Sequence, residues 1–579
     1  MLKIKNFFLY YSLPLLSGLL MGTSYMPFPP WAIFFCYIPL WLFALKQTKL
    51  KPLLIGAWLC QFVGVLIGFN WVAYTIREFG FFPWPLAIIG LLGFASFANL
   101  HIPIALFFWF ISQKKLKNMK MHPRLSLLLL PLLFALCIEY YPMIFKWNFG
   151  YTWLYAKWPA AQTAEIWGFQ FLHTITLFFN LLFLCLFKPK GIYLGEALGY
   201  IEKQLKTSNH ITLISFSKAV PILATWILLF ISLNFYGQYL KERWPEPNQK
   251  AQVLIIQPNI ENLSTAYNRL KTDPRPLALS KLIDETKKHF NTKTPPDFIL
   301  WPEGAYPYQI KYDNKKILEN IKFNNLANKG KKPGSYKKTT LPEYHKYIRK
   351  WQSPLVLSAT GKSSKGISNS IFVFGKDGQL VQAPYHKTLL LAFGEYLPGE
   401  KWLPIEKWLP YYGRSFQRGT GENKVTKLNG INLGFQICYE GIFDFFTRNL
   451  AKEGTQVLVN VTNDSWYGSW QQPWQHLYMT LARAIEVRRP LIRGTNTGLS
   501  AFISAKGEVE NISTLNTATG WMQEVPYYSM ENNKQSVFTL WGYYINSYFL
   551  WGLFFLLFVF YLIRLLSPFM NRFFQLRIE

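Results

Sequence analysis

Apolar stretches dominate the chain up to about residue 240, and a finer alternation of short apolar and polar segments follows. Runs long enough to cross a hydrocarbon layer of ~30 Å lie near residues 8–28, 31–46, 53–75, 84–111, 125–142, 163–187 and 219–237, with one more near 544–564. From residue 241 the period changes. Short apolar runs at 251–257 (AQVLIIQ), 297–301, 354–358, 370–374, 431–438, 456–461 and 498–504 predict strands, while 277–290 and 473–487 carry a helical repeat. Strands that alternate with helices predict α/β layering. The chain therefore divides into three parts. Residues 1–240 read as a membrane domain of about seven transmembrane helices, 241–540 as a soluble domain, and 541–579 as a C-terminal transmembrane helix with a short tail.

Composition supports that division: 50% of residues are hydrophobic and 18% aromatic, more than a wholly soluble enzyme carries. The net charge of +30 admits a nucleic-acid partner until its placement is considered. Much of the excess sits in loops beside apolar runs: Lys3 and Lys5; Lys46, Lys49 and Lys51; Lys114, Lys115, Lys117, Lys120 and Arg124; Lys188, Lys190, Lys203, Lys206 and Lys218; and Arg564, Arg572 and Arg577. The loops between these are nearly bare, with Arg77 balanced by Glu78 and only Lys146 and Lys157 later. Alternating rich and poor loops follow the positive-inside rule, so both termini are expected in the cytoplasm and residues 241–540 on the far side. A cleaved signal peptide is not expected, because residues 3–44 lack a small-residue cleavage site and further spans follow.

Two soluble segments stand apart. Residues 311–350 are rich in Asn, Lys and Gly and read as a mobile insertion, solvated or facing anionic headgroups. Residues 400–410 repeat the unit KWLP, which either packs on the domain or dips into the lipid interface.

The cysteines narrow the chemistry. Cys36, Cys60, Cys137 and Cys185 fall in apolar runs, where a thiol is a small hydrophobe. Cys438 alone lies in the soluble part and has no partner there for a disulfide. The eight histidines show no HExxH or similar pair and the chain has no CxxC, so neither a metal nor another cofactor is expected. Three motifs set reactive groups at the ends of apolar runs: Glu303 in ILWPEGAYP, Lys387 in PYHKTLLLAFGEYLPG and Cys438 in GINLGFQICYEGIF. Strand ends are where α/β folds present reactive groups. A thiol needs a base and a nearby cation to act as a nucleophile, and Glu303 and Lys387 supply those two chemistries.

WPEG, then Lys387 with FGEYLPG, then CYE, in that order, resemble the nitrilase superfamily, whose members work through a Glu–Lys–Cys triad. The whole chain, with its spans before and after the soluble part, resembles the apolipoprotein N-acyltransferase family, the membrane-embedded branch. The resemblance extends to Glu395, Tyr439, Glu440, Asn369 in SNSIFVF, and the block from Asn460 to Ser504 that contains Trp466. It implies an α-β-β-α sandwich for the soluble domain. It also implies a bacterial inner-membrane protein with a periplasmic catalytic domain. The implied reaction moves an acyl chain from a phospholipid onto Cys438, then onto the α-amine of a diacylglyceryl-cysteine at an apolipoprotein N-terminus. Glu303 would be the general base, Lys387 and the Tyr439 amide would hold the oxyanion, and Glu395 would orient the triad. Phospholipid, apolipoprotein and bilayer are then the partners, and nucleic acid is not. The chain departs from the family pattern at Ala266 and Tyr267, where a Trp is common, and at Ala392, where a Pro is usual. The competing readings are a tethered amidase that hydrolyses instead of transferring, and a scaffold with a dead nitrilase fold. The second predicts a missing triad member, and all three are present.

Overall fold

The computed structural model describes residues 2–80, 82–118, 123–189, 211–313, 316–321, 343–364, 366–400, 402, 415–542 and 544–575. They form two compact units: 1–70, 88–240 and 543–579 in one, 71–87 and 241–542 in the other.

The first unit is helical. Among the described residues three helices are long and apolar enough to cross a membrane, Leu50–Gly68, Trp84–Gln113 and Phe216–Glu242. Pro159–Trp167 and Phe169–Leu184, bent by 120° at a short break, make a fourth if taken as one span. Shorter apolar helices cover Ser12–Gly22, Leu127–Tyr140 and Tyr544–Val559. Phe216–Glu242 is apolar all round yet has none of its most apolar window buried, a surface that lipid satisfies and water does not. The run at 31–46 contains only the helix Ile38–Leu45, preceded by turns. At 1.5 Å per residue, its eight residues reach roughly 12 Å. Some polar side chains inside this unit pair across helices: Asn546 donates to Glu139 at 3.2 Å and accepts from Thr174 at 3.3 Å. Lys120, Lys190, Lys203, Lys206 and Arg577 lie outside the described residues.

The second unit holds two sheets. Its strands are β1 (Gln249–Gln257), β2 (Phe298–Trp301), β3 (Gln309–Asp313), β4 (Lys316–Ile321), β5 (Leu355–Ser363), β6 (Gly366–Phe374) and β7 (Tyr385–His386). They continue with β8 (Val425–Leu428), β9 (Ile431–Ile437), β10 (Val457–Thr462), β11 (Leu491–Thr495), β12 (Ala501–Ile503), β13 (Val509–Ile512) and β14 (Thr519–Tyr527). One sheet runs β14-β1-β2-β5-β3-β4, with β6 pairing β5 and β7; the other runs β8-β9-β10-β11-β12-β13. β1, β2 and β5 are parallel to one another, as are β9, β10 and β11. Fully buried parallel strands read as continuous apolar runs, which FILW in β2 illustrates.

The sheets face each other: a Cβ added at Gly494 in β11 would meet Leu300 of β2 at 3.0 Å. Helices Arg275–His289 and Glu343–Trp351 cover the outer face of the first sheet through Leu279, Leu282, Ile348 and Trp351. Helices Asp444–Lys452 and Gln471–Val487 cover the second, where Gln436 bonds Thr447 and Arg493 bonds Thr480. This is the nitrilase-like α-β-β-α sandwich. The described residues of the segment expected to be a mobile insertion, 311–350, have regular structure: β3 pairs β4 antiparallel and 343–351 is a helix. Residues 314–315 and 322–342 lie outside the described residues, as do Lys401 and 403–410 of the KWLP repeat.

Candidate active site

Glu303 follows β2 by two residues, Lys387 follows β7 directly and Cys438 follows β9 directly. The sheet connections thus bring the three strand ends to one place. All three side chains are almost dry, with exposures of 9%, 1% and 6%. Lys387 Nζ lies 3.7 Å from Glu303 Oε1 and donates to Glu395 Oε1 at 2.8 Å. Asn369 Nδ2 donates to Glu303 at 2.6 Å and to Glu395 at 3.1 Å, so one amide links the two carboxylates. The Asn463 N–H donates to the other Glu303 oxygen at 3.0 Å, and the neighbouring Cys438 thiol favours the ionised form of that carboxylate.

Burial sets the protonation. It lifts the Glu303 pKa, with Lys387 pulling down and Glu395 pushing up. Burial works against the Lys387 ammonium, but the carboxylates of Glu395 and Glu303 outweigh it and hold the charge on. Burial also pushes the Cys438 thiol well up, aided by the Glu303 charge and opposed by Lys387. The thiol is therefore protonated at rest, with a carboxylate base at hand and a permanent cation beside both.

The backbone at Cys438 is left-handed, with φ of +51°. That conformation costs an L-residue roughly 1–2 kcal/mol. The turn is held from below by Glu440, which is fully buried. One of its oxygens accepts from the Tyr385 hydroxyl, the Thr388 N–H and hydroxyl, and the Leu389 N–H at 2.6–3.2 Å. The other accepts from the Ile437 N–H at 2.8 Å. Glu440 thus joins the loop after Lys387 to the turn that carries Cys438. Tyr439 is half-buried, its ring edge-on to Phe443 at 4.8 Å, and Trp466 is half-buried in the loop after β10.

A second polar group beneath the turn was not singled out from the sequence. Asn460 and His476 each bond the Cys438 carbonyl at 3.3 Å, Asp464 faces His476 at 2.9 Å, and Arg493 bonds Asn460 at 2.6 Å and Asp464 at 3.0 Å. Polar residues at buried strand positions, Asn460 in VLVNVT and Arg493 in LIRGT, were the available signal. Among the described residues no cluster of His, Cys, Asp or Glu has the arrangement of a metal site.

Two family models match. Residues 17–182 match the apolipoprotein N-acyltransferase N-terminal domain, and residues 255–519 match carbon-nitrogen hydrolase. An apolipoprotein N-acyltransferase of Bdellovibrio bacteriovorus is 35% identical over 541 residues, covering 91% of this chain and 90% of the relative. One from Geobacter metallireducens is 26% identical and covers 87% of each chain. Among solved structures, an amidase from Nesterenkonia sp. AN1 aligns at 14% identity and a TM-score of 0.31, over 49% of this chain and 96% of that one. Likeness at the level of the Bdellovibrio relative runs through both the helical and the sandwich units, and on that ground the chain belongs to the apolipoprotein N-acyltransferase family.

Proposed function

We propose that the protein transfers an acyl chain from a phospholipid to the α-amine of the N-terminal diacylglyceryl-cysteine of apolipoproteins, through a thioester on Cys438. The observation that carries this reading is the dry cluster of Glu303, Lys387 and Cys438 at three strand ends. In the first half-reaction Glu303 takes the thiol proton as sulfur attacks the ester carbonyl. Burial keeps the proton on the resting thiol, which favours its transfer to Glu303 as the bond to carbon forms. Lys387 and the Tyr439 N–H steady the oxyanion. Collapse breaks the ester C–O bond, and the leaving alkoxide receives the proton from Glu303 as lysophospholipid. In the second half-reaction the amine attacks the thioester and gives its proton to Glu303. The thiolate leaves and is reprotonated. A thioester retains enough acyl energy for an amine to accept the chain, which an ester does only slowly.

The reading extends to topology. In this reading seven spans precede the sandwich and one follows it, and the basic loops on one side support an active site on the periplasmic side of a bacterial inner membrane with both termini in the cytoplasm. Lipid substrates then reach the site by diffusion in the bilayer plane. The test is to incubate the protein with phospholipid radiolabelled in its acyl chain. Label is expected on Cys438, released by neutral hydroxylamine and passed to a diacylglyceryl lipopeptide. Label that leaves only as free fatty acid would favour the hydrolytic reading, and no label on Cys438 would end both.

A further inference from the structure

We propose that Asn460 and His476, braced by Arg493, are positioning residues that fix the direction of the oxyanion-binding amide by holding the Cys438 peptide from behind. The proposal rests on Cys438 being the nucleophile. A trans peptide is planar, so its C=O and the following N–H point to opposite sides. The Cys438 carbonyl accepts from Asn460 Nδ2 and His476 Nε2, both at 3.3 Å. The Tyr439 N–H, in the same peptide, is therefore turned away from those two side chains. Rotation of that peptide would swing the N–H down toward them and remove it as an oxyanion donor. Such a rotation turns ψ of Cys438 and φ of Tyr439 and leaves the left-handed φ of Cys438 as it is, so the two contacts to the carbonyl are what hold this peptide.

Each donor is itself held. Arg493, fully buried in the middle of β11, gives Nη1 to Asn460 Oδ1 at 2.6 Å, which leaves the Asn460 amide N–H groups to face the turn. Its Nη2 goes to Asp464 Oδ2 at 3.0 Å, and the other Asp464 oxygen faces His476 Nδ1 at 2.9 Å. One guanidinium thus orients both contacts to the same carbonyl, one directly and one through Asp464. Gly441 makes room for the arrangement: a Cβ there would stand 2.8 Å from Asn460 Nδ2. None of these residues hydrogen-bonds the carboxylates of Glu303 or Glu395; Asp464 reaches the thiol only through its charge, while Asn460 and His476 reach it through the peptide.

The test separates an oxyanion effect from a general loss of the site. Alkylation of Cys438 by iodoacetamide uses the same thiol but attacks a saturated carbon and develops no oxyanion. Acylation by phospholipid does. In the full-length protein, His476→Asn keeps a group at the Nδ1 position for Asp464 and withdraws the contact to the carbonyl. It is expected to slow acylation by about tenfold to a hundredfold with alkylation within about twofold of the parent, and His476→Gln, which reaches the Nε2 position, is expected to recover most of the loss. Asn460→Asp provides a second, independent probe that keeps its Arg493 partner. It replaces the donor by an acceptor facing the carbonyl, and the same selective loss is expected. Equal falls in both rates, or no fall in acylation, overturn the proposal. A parent protein that alkylates at Cys438 but never takes up acyl label overturns the functional reading first, and is seen before any variant is made.

Discussion

Glu395 stands between Lys387 and Glu303 in the electrostatics of the site: it accepts from the Lys387 ammonium at 2.8 Å, while Glu303 is 3.7 Å from the same nitrogen. Removing its charge should free the ammonium to lean on Glu303. Both changes lower the Glu303 pKa, since Glu395 now pushes it up and Lys387 pulls it down. Glu395→Gln is therefore expected to move the acid limb of the pH–rate profile to lower pH. It should also weaken the base, with a rate loss of about tenfold at neutral pH. A profile whose acid limb stays in place would show that Glu395 does not tune Glu303.

Glu303→Gln separates activity from stability. Loss of the general base should reduce acylation of Cys438 by about 10²–10⁴-fold. Its folded pKa is raised by burial, so the folded state holds the proton more tightly than the unfolded state. Stability then falls as pH rises from the ordinary carboxylate range through the folded pKa, and the cost persists above it. The glutamine variant loses that cost but must turn its NH₂ toward either the Asn369 amide or the Asn463 N–H, both donors, so its deficit in stability against the parent is expected to shrink as pH rises. Thermal unfolding of both proteins at several pH values in one detergent checks this, and a deficit that stays constant or grows with pH contradicts it.

Much of this site is legible from residue type and order, because a lone thiol in the soluble part and carboxylate and ammonium groups at strand ends are visible without coordinates. The seven strand-like runs all appear as strands, and 277–290 and 473–487 fall in helices Arg275–His289 and Gln471–Val487. Two of the features that escaped share a physical cause. β11 was missed because LIRGT puts a charge in the centre of a buried strand, and only the side chains of Asn460 and Asp464 around it make that charge tolerable. The role of Glu440 was hidden similarly: its five donors come from residues up to 55 positions away. Long-range polar pairing leaves no period in the sequence.

The left-handed backbone at Cys438 predicts an unusual order of stabilities. Cys438→Gly and Cys438→Ala both remove the thiol and should be inactive. Glycine adopts a φ of +51° without the penalty that alanine incurs. The glycine variant is thus expected to be the more stable of the two by about 1 kcal/mol, the reverse of their order at a helical or extended position. Chemical denaturation followed by tryptophan fluorescence measures the difference. Alanine above glycine would mean that the turn relaxes once the sulfur is gone.

Glu440 accepts hydrogen bonds on both oxygens and offers none, which suits an ionised carboxylate and no other side chain. A glutamine in its place must turn its NH₂ toward either the Ile437 N–H or the cluster of Tyr385, Thr388 and Leu389 donors, and in either orientation donor meets donor. The buried groups left without an acceptor each cost about 1–3 kcal/mol. Glu440→Gln is expected to destabilise the sandwich by a few kcal/mol, although it is nearly the same size as the native residue. The loss should also reach the chemistry. With the tie cut, Lys387 and Cys438 sit on loops that no longer share an anchor, so acylation should slow more than Cys438 alkylation, and the gap between the two should narrow at low temperature, where the loops are stiller. A variant as stable and as active as the parent would mean that the donors find other acceptors and that Glu440 anchors neither loop.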